Sequence, residues 1–194
     1  SVTEQISFMS DALNMLEADS NVCGYSWFMH RATGKWGAIS LLNSDVSSPE
    51  LTELGRVYVN FSSFDKNCWY GRHEVIPAEH YVAHNMCEVF KVRPCTDSAG
   101  ELMILCYQQD AWVEYQIEVE KTGTYSLGAR YISTLLGGVM AVSVDGGKEQ
   151  FVTFDKTSEW KCKWIDGLYL EKGKHTIRLT HKDGRVDFNW FYLD

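Results

Sequence analysis

Residues 186–194 read "VDFNWFYLD". Apolar and polar residues alternate along this stretch, which predicts a β-strand. A regular strand puts Val186, Phe188, Trp190 and Tyr192 on one face, with Asp187, Asn189, Phe191 and Leu193 on the other. Two residues fit this picture poorly: an Asn in the middle of an aromatic run, and an Asp at its end.

Working back from this stretch, residues 74–194 repeat one pattern. Short alternating runs are separated by turn signals. "DAWVEYQIEVE" is followed by "KTG", "TYSLGARYIST" by "LLGG", "VMAVSVD" by "GGKE" and "QFVTFD" by "KTSE". "LYLEKG" then leads into "KHTIRLTHKDG" and the opening stretch. About nine or ten strands in roughly 120 residues predict an antiparallel β-sandwich or jelly roll. Trp190 and Tyr125 are expected in its core.

Residues 1–66 are different. "TEQISFMSDALNMLEAD" places Ile6, Met9, Leu13 and Leu16 on one helical face, with Thr3 as a possible cap. "NVCGYSWFMHR" reads as a short buried strand. "SSPELTELGRVYVNFSSF" carries Ser before Pro-Glu, the pattern of an N-cap followed by proline at the first helical position. A single strand between two helices has no sheet to join. This half therefore reads as a helix–strand–helix remnant of an α/β barrel whose front is absent. Residues 67–73 form a short linker, so the two halves pack together rather than flex.

The 194-residue chain is 45% hydrophobic and 13% aromatic, with seven Trp. That many large aromatics in a small acidic protein point to stacking surfaces as well as core. The formal charge of −8 argues against nucleic acid or an anionic membrane as partner. No apolar run approaches the ~20 residues that span a bilayer. No signal peptide is visible, so one has been removed or the chain belongs to a longer one. Six Cys without a CxxC fit an oxidising, secreted setting with up to three disulfides, whose pairing sequence leaves open.

Taken together, residues 74–194 resemble carbohydrate-binding module family 6. Ala78, Glu79 and Tyr81 match its opening, and Tyr107, Asp110, Trp112 and Tyr115 match its Asp-Trp strand. Gly123, Tyr125 and Arg130 follow, then Thr157, Trp160 and Trp164, then Gly173, His175 and Leu179, and finally Asn189 and Trp190. Six elements in the family's order are specific together. In residues 1–66, "VCGYSWF", "SLLN" and "LTELGRVY" resemble the C-terminal end of the (β/α)8 glycosyl hydrolase cores that cleave β-1,3-glucans.

The resemblance implies a non-catalytic module that holds an attached glycoside hydrolase on a polysaccharide, with β-1,3-glucan first among the candidates. The catalytic domain would lie in cis, and its carboxylates on strands absent here. The alternative is the C-terminal portion of a hydrolase (β-glucanase, xylanase or agarase). The family's loop-end cleft carries over as Tyr107 and Trp160 for walls and Asn189 for the floor. Trp164 is an alternative wall, because Trp160, Cys162 and Trp164 share a face of a strand. Aromatic rings suit the C–H face of a sugar, and an amide both donates to and accepts from its hydroxyls. Some members use a second cleft on the concave sheet face, which implies Trp112. The family's structural calcium would take Glu79, Glu88 and Asp194.

Overall fold

The computed structural model describes residues 1–62, 65, 67–85, 90–97 and 102–194. Helix α1 (Val2–Ala18), a 3-10 turn (Gly34–Ile39) and helix α2 (Glu53–Ser62) precede the strands. The strands are β1 (Val75–Pro77), β2 (Ala83–His84), β3 (Phe90–Pro94), β4 (Leu102–Cys106), β5 (Trp112–Val119) and β6 (Gly123–Ser133). They continue with β7 (Gly138–Val144), β8 (Gln150–Phe154), β9 (Thr157–Leu170), β10 (Gly173–Gly184) and β11 (Val186–Leu193). They form two antiparallel sheets, β3-β4-β11-β6-β9 and β2-β5-β10-β7-β8, as the alternating runs predict. β1 also joins the first sheet, along the edge of β11.

The inner faces of the two sheets supply the core. Ile104, Leu127, Ala129 and Phe188 oppose Val113, Ile117, Met140 and Leu179, all buried. Burying each large side chain contributes about 1.5–3 kcal/mol. Tyr115 is buried too, and its hydroxyl donates to the Ala78 carbonyl at 2.6 Å.

β11 departs from regular alternation. Its pairing with β6 shifts register between Phe188 and Trp190, so Asn189 is a β-bulge residue. The bulge sits where one neighbour replaces another: β4 pairs with Val186–Phe188, and β1 with Trp190–Tyr192. The Asn189 carbonyl between them accepts the Ala78 N–H at 2.9 Å. The extra residue inverts the faces that follow. Phe188 and Phe191 both enter the core, with ring centroids 5.2 Å apart, and Leu193 joins them. Trp190 is half-buried outside the core cluster, whereas Tyr125 lies within it. The expectation that Trp190 is core fails because simple alternation takes no account of a bulge.

The first half keeps its helices but not its strand. Ser1, not Thr3, caps α1, through a capping box with Glu4. α2 starts at Glu53, where the Thr52 hydroxyl accepts the Gly55 N–H at 3.0 Å, so Pro49 lies outside the helix. Residues 21–31 form no strand. Among the described residues no strand offers them a ladder, and local bonds serve instead: the Trp27 indole donates to the Ile39 carbonyl, and the His30 carbonyl accepts from Leu41 and Leu42.

The helices are continuous with the sandwich. Ile6, Met9 and Leu13 of α1, with Leu54 and Val57 of α2, belong to the same buried cluster as the sheet residues. α1 packs beside β3, the terminal strand of its sheet. Arg93 on β3 bonds Asp11 at 3.0 Å, and the Tyr81 hydroxyl donates to Asn14 at 2.7 Å. The stretch between the halves is also tied down. Tyr70 pairs with β5 through the Gln116 carbonyl and the Glu118 N–H, and the His73 N–H donates to Leu193. The Tyr70 hydroxyl meets Nδ1 of His80, whose pKa burial pushes down to about 4, so the ring stays neutral and accepts.

The described cysteines Cys23, Cys68, Cys95, Cys106 and Cys162 form no disulfide with one another; Cys87 lies outside the described residues. The expected disulfides are thus not formed among them. Cys106 packs within the core of β4, where burial raises its thiol pKa well above the ordinary value.

Because one core spans both halves, Leu13→Ala is expected to cost about 2–5 kcal/mol while unfolding stays a single transition followed by both tryptophan fluorescence and circular dichroism. An early separate helical transition, with the sandwich transition unmoved, would show two independent units.

Candidate functional site

The outer face of the first sheet carries most of the expected site residues. Asn189 emerges there from the bulge, but it is only 2% exposed. Its amide donates to Asp97 Oδ2 at 3.0 Å. Asp97 follows β3 and is also gripped by Arg130 of β6, through Nε at 2.7 Å and Nη2 at 3.0 Å. The bidentate geometry is the strong form of this pair, and the carboxylate raises the guanidinium pKa further. The adjoining Thr96 hydroxyl accepts the Trp160 indole N–H at 3.1 Å. Residues 95–97 therefore act as a strap from β3 to β9, crossing over Asn189 and Arg130. Asn189 is not displayed at a loop end as expected; it is the buried anchor of this strap.

Tyr107 follows β4 at the loop end and is 42% exposed, within electrostatic reach of Arg185. Arg185 holds Asp187 at 3.0–3.1 Å through two bonds. Burial lifts the Asp187 carboxyl pKa above its usual value against the pull of Arg185. Two strands, β11 and β6, separate β4 from β9, which puts the backbones bearing Tyr107 and Trp160 about 14 Å apart across the sheet. The structure thus brings Trp160 and Asn189 together through the strap. The polar pair beside Tyr107 is Arg185–Asp187.

Trp160, Cys162 and Trp164 share the outer face of β9, as their spacing predicts. Cys162 meets Arg130 at 3.8 Å, while Trp164 lies over Gly128, where an added Cβ would approach its ring to 3.0 Å. Trp164 meets Tyr192 edge-on at 6.2 Å between centroids and is 48% exposed, an open aromatic platform.

Trp112 stands on the outer face of the second sheet. The Arg178 guanidinium lies 4.0 Å from its ring centroid and is held there by Glu114 at 2.8 Å. One face of the ring is therefore occupied by a cation. In the same cross-strand row come Thr180, Ala141 and the exposed Phe151, a floor of small side chains between two aromatics.

Two of the expected calcium ligands, Glu79 and Asp194, do not converge. β1 runs antiparallel to the end of β11, so Glu79 lies beyond its Asn189 end and Asp194 beside His73 at the other. Asp194 is paired with Arg72 at 2.8 Å. Glu88 lies outside the described residues, and among those described no cluster of three metal-ligating side chains occurs. Glu79 and Asp194 therefore do not share an ion.

Sequence reasoning missed Asp97, Arg185 and Asp187 as site residues. Asp97 sits in "CTDSAG", where no periodicity marks a residue destined to cross a sheet. Arg130, the one charged residue of β6 and at an outward position, was the available signal. Asp97→Ala strands the guanidinium and the Asn189 amide, and the expected loss is about 3 kcal/mol in denaturant unfolding. A loss under about 1 kcal/mol would show that the strap is not anchored through this carboxylate.

Comparison with known proteins follows the same division of the chain. Residues 88–193 match the family model "Carbohydrate binding module (family 35)", and residues 1–58 match "Glycosyl hydrolase catalytic core". A mannan endo-1,4-beta-mannosidase B from Piromyces sp is 28% identical over 82 residues, 42% of this chain. The matched stretch is only 14% of that relative's length. The fold is similar to a family 6 module of Cellvibrio mixtus lichenase 5A solved with cellotriose, at TM-score 0.56 and 18% identity over 63% of this chain and 97% of that one. It is equally similar to a β-1,3-glucan binding family 6 module from Bacillus halodurans, at TM-score 0.56 and 20% identity over 65% of this chain and 98% of that one. The resemblance to family 6 thus holds for the sandwich, and the preceding helices carry the hydrolase likeness. With a family model matched through more than half of its length, the chain belongs to carbohydrate binding module family 35.

Proposed function

We propose that this chain binds a β-linked polysaccharide, with β-1,3-glucan first among the candidates, and holds a glycoside hydrolase domain of the same polypeptide on it. In this reading the chain itself is not catalytic and the protein works outside the cell. The observation that carries the proposal is the arrangement on the outer face of the first sheet. Trp160 is fixed by Thr96, Trp164 forms an exposed platform beside it, and Tyr107 flanks the face at the loop end. Rings held in place lose little entropy on stacking against a sugar, and the polar groups between them serve its hydroxyls. Arg185 and Asp187 supply a donor and an acceptor there, and Asn189 holds the floor through Asp97. The choice of β-1,3-glucan rests on the resemblance of residues 1–66 to the ends of glucanase cores. A second reading, β-mannan, is favoured by the match to the mannosidase.

Affinity electrophoresis tests both. Wild type is expected to be retarded in gels containing laminarin, and Trp160→Ala and Asn189→Ala to lose that retardation, with each variant's fold checked by circular dichroism. Retardation in mannan alone would replace the first reading by the second. Folded variants that migrate like wild type in both gels would remove this face as the site, and new reducing ends released by the chain would contradict a non-catalytic role.

A further inference from the structure

The opposite pole of the sandwich carries a cleft of about 870 Å³ that none of these expectations concerns. One wall is the stretch before β1, with Trp69 and Arg72; the other is the β5–β6 turn and the start of β10. The volume falls in the range of small-molecule sites. Its charges are mixed. Arg72 is matched by Asp194 at 2.8 Å, and Glu74 accepts the Gly71 N–H at 2.6 Å. Four further charges line it: Glu118, Glu120, Lys121 and Lys172. Among the described residues none of these four side chains has a hydrogen-bond or ion-pair partner. On the lining, Arg72, Lys121 and Lys172 balance Glu74, Glu118 and Glu120 and leave the cleft nearly neutral, which suits neither an anionic nor a cationic ligand. Polyols are different: each hydroxyl both donates and accepts, so carboxylates and ammonium groups within one cleft satisfy it from both sides. Apolar surface is present as well. The Trp69 indole lines the cleft, with Lys174 4.6 Å from its ring centroid, and Tyr125 is buried at the base, its hydroxyl bonded to the Lys121 carbonyl.

We propose that this cleft is a second saccharide site, for a neutral oligosaccharide stacked on Trp69 and hydrogen-bonded by Glu118, Glu120, Lys121 and Lys172. It is independent of the outer-face site, and two sites on one module raise avidity for a polymer without new contacts at either.

Titration of the isotope-labelled chain with laminarihexaose, and separately with mannohexaose, reads the indole N–H signals of Trp69 and Trp160 individually. The expected result is a saturable shift at Trp69 that survives Trp160→Ala. Glu118→Gln with Glu120→Gln should weaken it about tenfold, as loss of charge-assisted bonds predicts. Both glutamates are solvent-facing or without partners, so the double variant keeps the fold. A shift at Trp69 without one at Trp160 supports the second site and removes Trp160 from the first. A shift at Trp160 alone overturns the second site and leaves the first standing. No shift at either signal overturns the second site and removes Trp160 from the first.

Discussion

The bulge at Asn189 is the constraint on which the first sheet depends. Without it, alternation would send Phe191 and Leu193 outward and Trp190 and Tyr192 into the core. With it, Phe188 and Phe191 turn inward together, and Phe188 packs edge-on against Phe154 at 5.2 Å. Tyr115 meets Phe191 at 5.0 Å. The extra residue also accommodates the change of neighbour from β4 to β1, which one straight strand edge would have to meet in a single register. Asn suits the position because a bulge leaves one residue out of the ladder, and an amide there can reach a partner that an apolar side chain cannot.

The partner is Asp97, and through it the bulge governs the outer face. A carboxylate nearly shut away from water is tolerated because a guanidinium and an amide both serve it. The same strap fixes Trp160 through Thr96. Core packing, the bulge, the strap and the aromatic surface thus form one chain of dependence. Many of the motif residues that carry the family likeness serve this framework rather than a ligand. Tyr115 ties β5 to Ala78, Arg130 holds Asp97, and His175 pairs with Asp145.

Much of this architecture was legible because each strand from β5 to β11 has a buried face, and period-2 alternation reports that face directly. α1 was legible for the same reason at period 3.6. The failures share a cause: each depends on something distant in sequence. "NVCGYSWFMHR" has the composition of a buried strand, yet a strand exists only beside another, and among the described residues none pairs with it. The bulge at Asn189 is set by where pairing with β4 gives way to pairing with β1, strands roughly a hundred residues earlier in the chain. Glu79 and Asp194 look like partners at the two ends of one domain, but antiparallel pairing of β1 with β11 carries them apart. The aromatics of β9 were readable as a shared face; that Trp160 would be pinned by a threonine before it in the chain was not.

The proposed sugar site is the outer face of the first sheet, the surface organised by the bulge. A crystal structure of the chain soaked with laminarihexaose or mannohexaose tests it most directly. The expected result is a sugar ring against Trp160 or Trp164, with the Asn189–Asp97 bond intact beneath it. Sugar seated only against Trp112 on the other sheet, with the Trp160 face bare, would contradict it.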